Sequence, residues 1–151
     1  MQVLHEKRFL LEANRERVWD LITNLEQRKT WQKPLESARC LYGSEGTKGA
    51  RIELTIVNQD NVVIEHIKRS EKYVRLVTEY KLGEKWYRQI YSISRISEDR
   101  TSLMYFCQQQ MPSGWRKIFN MAPPAPSFLD PKHLEMLQEQ LLNETKAALA
   151  Y

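Results

Sequence analysis

The stretch "FLLEANRERVWDLITNLEQRKTW", residues 9–31, decides the fold. It begins as an apolar strand and reaches Asn14, whose short side chain favours the N-cap of a helix. Apolar residues then recur at positions i, i+3, i+4 and i+7, which predicts a one-faced helix of about three turns. These residues are Val18, Leu21, Ile22 and Leu25. A further helical turn is expected over 26–31, before Pro34 ends the segment.

Short β segments fill the middle of the chain. Residues 50–57 alternate between apolar and polar side chains, with Ile52, Leu54 and Ile56 on one face. The segments that follow are rich in β-branched and aromatic residues and are joined by short connections, which require antiparallel pairing. The predicted strands are 3–12, 36–42, 50–57, 62–69, 73–80, 86–96 and 101–110.

The end of the chain predicts one long amphipathic helix. Asp130 and Pro131 provide a suitable start, an N-cap followed by proline at the first helical position. The apolar face is expected to contain Leu134, Leu137, Leu141, Leu142, Thr145, Ala148 and Leu149. Before this helix, residues 112–129 carry four of the six prolines and cannot form a continuous helix.

Composition bounds the class of protein. The 151 residues are 42% apolar and 28% charged, which predicts one globular domain over 1–151. A net charge of +4 gives no argument for nucleic-acid binding. Cys40 and Cys107 are interpreted as free thiols in a reducing compartment. The sequence has neither a signal-peptide pattern nor an apolar run of membrane-spanning length, so a cytoplasmic location without integral membrane association is expected.

The order of strand, short helices, six strands and long helix resembles the helix-grip fold of the SRPBCC superfamily, which includes START domains, pollen-allergen-type proteins and polyketide cyclases. The resemblance lies in residues 9–31, in "YGSEGTKGARIEL" (42–54), in "EDRTSLMYF" (98–106) and in the C-terminal helix. It implies an α+β fold in which a seven-stranded curved antiparallel sheet wraps around the long helix, with two short helices after the first strand. The Pro-rich segment 112–129 departs from the simplest family pattern and is interpreted as an insertion.

The resemblance also implies a ligand pocket between the sheet and the C-terminal helix. An empty apolar cavity destabilises a protein, so the pocket must hold side chains, water or a ligand. The residues expected to line it are Phe9, Leu11, Trp31, Ile52, Leu54, Ile56, Glu65, Leu76, Tyr91, Ile93, Leu103, Tyr105, Leu134, Leu137 and Leu141.

An ionisable side chain is expected on an inward position of the strand 62–69. If Val57 and Val62 close a four-residue loop, Ile56 faces Val63, Leu54 faces Glu65, and Glu65 points inward. A loop that differs by one residue would turn every side chain over and place His66 inside. Even-numbered loops are commoner than a three-residue loop, which favours Glu65. Either side chain is a candidate general acid or base.

The last hairpin offers a second choice of faces. Tyr91, Ile93, Leu103 and Tyr105 share one face if a three-residue turn joins the strands, and this set is expected to line the pocket. Ile90, Met104 and Phe106 would then give the outer face an apolar surface, through which a homodimer is a further hypothesis.

The sequence lacks the usual catalytic motifs. The three histidines are His5, His66 and His133, none has the spacing of a metal site, and His133 is expected to be solvated. There is also no phosphate-binding glycine loop. From these two observations, neither a metal nor another cofactor is predicted.

The preferred hypothesis is a protein that binds a small hydrophobic or aromatic molecule, lipid-like or polyketide-like. The alternatives are a cyclase or dehydratase that uses Glu65 or His66, and a co-chaperone-like interaction module.

Overall fold

The computed structural model describes residues 2–60, 62–110 and 126–150, which form one seven-stranded sheet and three α-helices. The elements are β1 (Gln2–Leu11), α1 (Arg15–Thr23), α2 (Leu25–Trp31), β2 (Leu35–Tyr42), β3 (Arg51–Ile56), β4 (Val63–Glu71), β5 (Arg75–Leu82), β6 (Lys85–Ser97), β7 (Arg100–Gln110), a 3-10 helix (Ser127–Leu129) and α3 (Lys132–Leu149). The predicted α+β helix-grip class is confirmed. Most of the predicted insertion, residues 112–125, lies outside the described residues.

The sheet runs in the order β1-β7-β6-β5-β4-β3-β2, and every neighbouring pair is antiparallel. Alternate residues of β3 to β7 are buried, because one face of the sheet covers the core and the other faces outward. Helix α3 contacts β1 and α2, so the core lies between the sheet and the helices.

The two short helices are fixed by asparagine caps and one tryptophan. Asn14 begins α1 by accepting a hydrogen bond from the Arg17 N–H at 2.9 Å. Asn24 ends α1 and caps α2 in the same way. Trp31, at the end of α2, donates its indole N–H to the Leu21 carbonyl at 2.7 Å, which ties the two helices together. Trp31 is buried and is part of the hydrophobic core.

The β3–β4 register corrects one expectation and supports another. Leu54 pairs with Val63, and Ile52 pairs with Glu65, so the predicted pairing is displaced by two residues. Ile56 pairs instead with Leu35 of β2. The β3–β4 connection is therefore longer than the predicted four residues. A shift of two residues preserves the side of the sheet on which each side chain lies. Glu65 is consequently buried on the inner face, as the favoured loop length predicted.

The β6–β7 hairpin has the predicted faces with a shorter turn. Tyr91 pairs with Tyr105, Ile93 pairs with Leu103, and all four side chains are buried. Two residues, 98–99, connect the strands instead of the expected three. Ile90, Met104 and Phe106 are half-buried on the outer face, and a homodimer through that face remains a hypothesis.

The apolar face of α3 is shorter than predicted. Leu134, Leu137 and Leu141 are buried, but Leu142 is 40% exposed and Leu149 is 82% exposed. Leu142 lies about 100° around the helix from Leu141, which turns it away from the core. Ala148 is also exposed and Thr145 is half-buried, so α3 is fully buried on its inward face only as far as Leu141.

His133 is buried, so the prediction that it is solvated is wrong. It lies in the first turn of α3, and its ring contacts the preceding 3-10 helix. Its Nε2 is 2.9 Å from the Ser127 carbonyl oxygen, and this contact requires the proton on Nε2. Nδ1 is buried without a hydrogen-bond partner. Burial lowers the pKa of His133 below its ordinary value.

Truncating Leu137 should destabilise the fold far more than truncating Leu149 on the same helix. Leu137→Ala removes a fully buried side chain and should lower the free energy of unfolding by about 2–5 kcal/mol. Leu149→Ala changes an exposed side chain and should alter it by less than about 0.5 kcal/mol. Urea denaturation of both variants measures the difference. Equal effects would contradict the packing described for α3.

The buried state of His133 should make stability depend on pH. Its pKa is lower in the folded chain than in the unfolded chain, so the unfolded chain binds more protons as the pH falls below about 6.5. The free energy of unfolding should therefore fall with decreasing pH in that range, by at most about 1.4 kcal/mol per pH unit from this site. His133→Gln keeps a donor for Ser127 and cannot titrate. Its urea-denaturation series should show a smaller decrease than that of the wild type; identical pH dependence would contradict the assignment.

Candidate functional site

The candidate site is a set of buried polar side chains between the sheet and the helices, which we call the interior polar cluster: Arg28, Gln32, Glu65, Tyr80, Gln89 and Tyr105. Its sheet residues come from inward positions of β4, β5, β6 and β7. Glu65 pairs with Tyr80, and Tyr80 pairs with Tyr87, so one row of polar side chains crosses three strands. The helical members come from α2 and the residue that follows it.

Arg28 and Glu65 form a buried ion pair. Arg28 Nη1 donates to Glu65 Oε1 at 2.8 Å, and Nη2 donates to Oε2 at 3.0 Å. The two side chains are only 5% and 3% exposed. Desolvation lowers the pKa of the Arg28 guanidinium, but the adjacent Glu65 carboxylate and the other groups around it more than offset this effect, and the net shift is upward. Arg28 therefore stays charged, and the bidentate geometry fixes the carboxylate.

Arg28 reaches the interior because of its place on α2. Leu25, Arg28 and Trp31 are spaced three residues apart and form the buried face of that helix. Gln32 follows at i+4 from Arg28, and its Oε1 accepts from Arg28 Nε at 3.2 Å and from Nη2 at 3.1 Å. The three guanidinium nitrogens thus make four hydrogen bonds to protein acceptors, as a buried cation requires.

Tyr80 connects the ion pair to the amide of Gln89. Its hydroxyl donates to Glu65 Oε2 and is also 2.7 Å from Gln89 Oε1. One phenolic proton therefore has two acceptors. Burial, and next the Glu65 charge, raise the pKa of Tyr80 well above its ordinary value, so the phenol stays protonated at neutral pH.

The cluster continues to the chain segment before α3. Gln89 Nε2 donates to the Tyr105 hydroxyl at 2.8 Å, and that hydroxyl donates to the Leu129 carbonyl at 2.6 Å. Gln32 Nε2 donates to the Phe128 carbonyl at 3.4 Å. The 3-10 helix is thus held by two side-chain hydrogen bonds from the cluster. The Phe128 ring also packs edge-on against Tyr80, with 5.7 Å between ring centroids.

The residues expected to line a pocket are all buried and belong, apart from Glu65, to one contiguous hydrophobic core. Glu65 and Tyr105 belong to both this set and the cluster. The Tyr105 ring also packs against the Tyr91 ring, with 5.3 Å between the ring centroids. The structure therefore brings the expected set together around the cluster. Whether these residues touch a ligand stays a prediction.

The two candidates for proton transfer lie on opposite sides of the sheet. Glu65 is inside, and its oxygens accept hydrogen bonds from Arg28 and Tyr80. His66 lies on the outer face, where it pairs with Arg51 and Glu79 across the neighbouring strands. Partial desolvation, then the nearby cations Lys68 and Arg51, lower the pKa of His66. A single site that contains both side chains is therefore excluded.

Sequence reasoning missed Arg28, Gln32, Tyr80 and Gln89. A signal was present for two of them. Arg28 stands on the apolar face of α2 at helical spacing, and Gln89 alternates with Tyr87 and Tyr91 on β6. A polar residue at an otherwise buried position indicates a hydrogen-bonded interior group.

The potential metal ligands and the two cysteines add little chemistry among the described residues. Within the described residues, no group of three or more His, Cys, Asp and Glu side chains could hold a metal ion. Both cysteines are free, and burial raises the pKa of the Cys107 thiol to about 12, which leaves it unreactive at neutral pH. No helix of the described ranges is long and apolar enough to cross a membrane.

Comparison with known proteins identifies the fold. No family model matches the sequence. A search of curated proteins likewise finds no match. A START superfamily protein from Mycobacterium smegmatis is 18% identical, and the alignment covers 92% of this chain and 99% of that protein with a TM-score of 0.64. A protein from Thermobifida fusca is 14% identical over 93% of both chains, with a TM-score of 0.69.

Norcoclaurine synthase from Thalictrum flavum has the same fold. Its structure is that of a point mutant in complex with a transition-state analogue. It is 9% identical to this chain, the alignment covers 96% of this chain and 99% of that one, and the TM-score is 0.62. At such low identities the likeness establishes the fold, which is START-like, in agreement with the resemblance found in the sequence.

Removing one partner of the buried ion pair should lower the free energy of unfolding strongly, whereas replacing both partners with apolar residues should lower it little. Arg28→Met leaves Glu65 buried without its cation and should lower the free energy of unfolding by about 3–5 kcal/mol. The double variant Arg28→Met/Glu65→Leu removes both charges and should recover most of that loss. Urea denaturation of the single and double variants measures this recovery.

An exposed ion pair provides the matched control. Arg39 is 71% exposed and pairs with Glu53 on the neighbouring strand at 3.2 Å. Arg39→Met should cost less than about 1 kcal/mol. If Arg28→Met were as mild as Arg39→Met, the buried pair would not have the role described here.

Proposed function

We propose that this protein binds a small hydrophobic or aromatic molecule in the space between the sheet and α3, with the interior polar cluster as its polar contact. The observation that carries the proposal is the buried Arg28–Glu65 pair with Tyr80 beside it. A binding site of this type is mainly apolar and has a few convergent polar groups that fix the orientation of the ligand. The core around the cluster supplies the apolar part.

Stability alone is a weak reason for such a cluster. Removing two charges from water costs several kcal/mol per ion, and apolar residues of similar volume often serve the fold as well or better. Buried charges and shifted pKa values gather at functional sites. Burial is the main cause that raises the pKa values of Tyr80 and Tyr105, so both hydroxyls keep their protons in the interior.

Ligand entry requires side chains to move. Phe128 packs against Tyr80, and its carbonyl accepts the long hydrogen bond from Gln32, whereas the Leu129 carbonyl accepts from Tyr105. Rearrangement of the 3-10 helix would expose the cluster and leave the rest of the sheet intact. The fold accommodates a small molecule in the norcoclaurine synthase complex, which supports binding as the function of this chain also.

Acid–base catalysis by Glu65 is not part of the proposal. Both of its oxygens already accept hydrogen bonds, two from Arg28 and one from Tyr80. A substrate proton would have to displace these donors from the carboxylate. The cluster is therefore better arranged to orient a polar group than to remove a proton.

Native mass spectrometry of gently purified protein, together with thermal melts against a library of lipids and aromatic compounds, tests the proposal. We expect a retained small molecule or a rise in melting temperature with an apolar compound. Tyr80→Phe should weaken that binding by about 2- to 10-fold, which corresponds to one lost hydrogen bond. Tyr42→Phe is the control, because Tyr42 is 67% exposed on β2. A chain that retains no molecule and shows no melting shift would overturn the proposal.

A further inference from the structure

Lys85 carries a buried ammonium group without a hydrogen-bond partner. It is the first residue of β6 and pairs with Leu82 across the turn that contains Gly83. Within the described part of the chain, its Nζ and His133 Nδ1 are the buried side-chain atoms that lack a partner. A lysine normally extends its ammonium into water while its stem lies on apolar surface. A covered and unpaired ammonium is unfavourable, which calls for a missing partner of negative charge.

Tyr87 offers a second donor on the same side of the sheet. It stands two residues after Lys85 on β6, so both side chains belong to the inner face. The Tyr87 hydroxyl accepts a hydrogen bond from Gln109 Nε2 at 3.3 Å. Its own hydrogen has no acceptor among residues 2–60, 62–110 and 126–150. Burial raises the pKa of Tyr87, so the hydroxyl keeps this hydrogen at neutral pH.

These two donors adjoin the interior polar cluster. Tyr87 pairs directly with Tyr80, whose hydroxyl contacts Glu65. The Glu65 carboxylate already has a cation, Arg28, so it does not serve Lys85. Among the described residues, the inner face therefore carries the Arg28–Glu65 pair and, at the start of β6, the unpaired ammonium of Lys85.

We propose that Lys85 and Tyr87 bind the carboxylate of a small organic acid whose apolar body extends towards Tyr80 and the core. A carboxylate accepts hydrogen bonds at both oxygens, and such bonds from an ammonium and a phenol are charge-assisted. This inference rests on the proposed function, since it names the class of ligand for the same interior space.

Matched acid and alcohol probes test the inference on the full chain. The pairs are naphthoic acid with naphthalenemethanol and decanoic acid with decanol, titrated calorimetrically near neutral pH. The wild type should bind the acid of at least one pair about tenfold more tightly than the alcohol, as expected for a charge-assisted bond. Lys85→Met should remove this preference by weakening the acid and leaving the alcohol unchanged. Tyr87→Phe should reduce the preference by a smaller factor, about threefold.

Lys81→Met is the matched control. Lys81 is exposed on β5, with its ammonium 5.8 Å from the centre of the Trp86 ring, so its removal should not affect either probe. Equal binding of acid and alcohol by the wild type would overturn the inference and leave the proposed function standing. Unchanged binding of the acid by Lys85→Met would also overturn the inference and leave the proposed function standing. Failure of all four probes to bind would count against both.

Thermal melts show whether the variants are folded. Because Lys85→Met removes an unpaired buried cation, the variant should melt at the same temperature as the wild type or higher. The acid that the wild type prefers should raise the melting temperature of the wild type and of Lys81→Met, but not that of Lys85→Met. A shift of equal size in Lys85→Met would contradict the assignment of the carboxylate to Lys85.

Discussion

The buried pair between Arg28 and Glu65 constrains the whole interior. An arginine can be buried only if its donors find acceptors, so α2 must lie where Arg28 reaches β4. The need for acceptors also positions Gln32, because its Oε1 accepts two further hydrogen bonds from the guanidinium. Directed hydrogen bonds, and not only buried apolar area, therefore determine where the short helices contact the inner face of the sheet. Apolar packing alone would tolerate sliding of α2 over the sheet.

The hydrogen bonds that leave this pair reach the segment before α3. Tyr80 and Gln89 join Glu65 to Tyr105, and Tyr105 holds the Leu129 carbonyl. The position at which the chain enters α3 thus depends on the same polar groups that fix α2. A ligand that replaced one of these hydrogen bonds would loosen the 3-10 helix and the cluster together. If the protein binds a ligand as proposed, binding and the position of that helix are therefore expected to be coupled.

The sequence was sufficient for the fold and for part of the site. Periodicity and capping predicted α1 and the strands, because Asn14 and the alternation around Ile52 act locally. The prediction placed Glu65 on the inner face correctly, although it paired Glu65 with Leu54 instead of Ile52. A displacement of two residues does not change the side of the sheet on which a side chain lies. Local signals do not report how far a helix stays in contact with the sheet, and the apolar face of α3 was therefore overestimated at Leu149.

The partners of Glu65 could not be found in this way. Arg28 lies 37 positions away in the chain, and no local pattern pairs a cation on a helix with a carboxylate on a strand. His133 was misjudged for the same reason, since its contact with the Ser127 carbonyl of the 3-10 helix is also tertiary. Pairings of this kind are set by tertiary geometry, which single-sequence patterns do not contain.

The inward positions of β6 describe the kind of molecule that suits this interior. Read along the strand, they are Lys85, Tyr87, Gln89, Tyr91 and Ile93, which pass from a charged end through phenols and an amide to an aliphatic end. A protein core that served only packing would have no use for such a gradient, because each polar group must be satisfied at a cost in apolar contact. An amphiphilic molecule matches the gradient along its length. Its polar end would meet the donors at the start of β6, and its apolar end would meet Ile93 and Leu103, which pair across the β6–β7 hairpin.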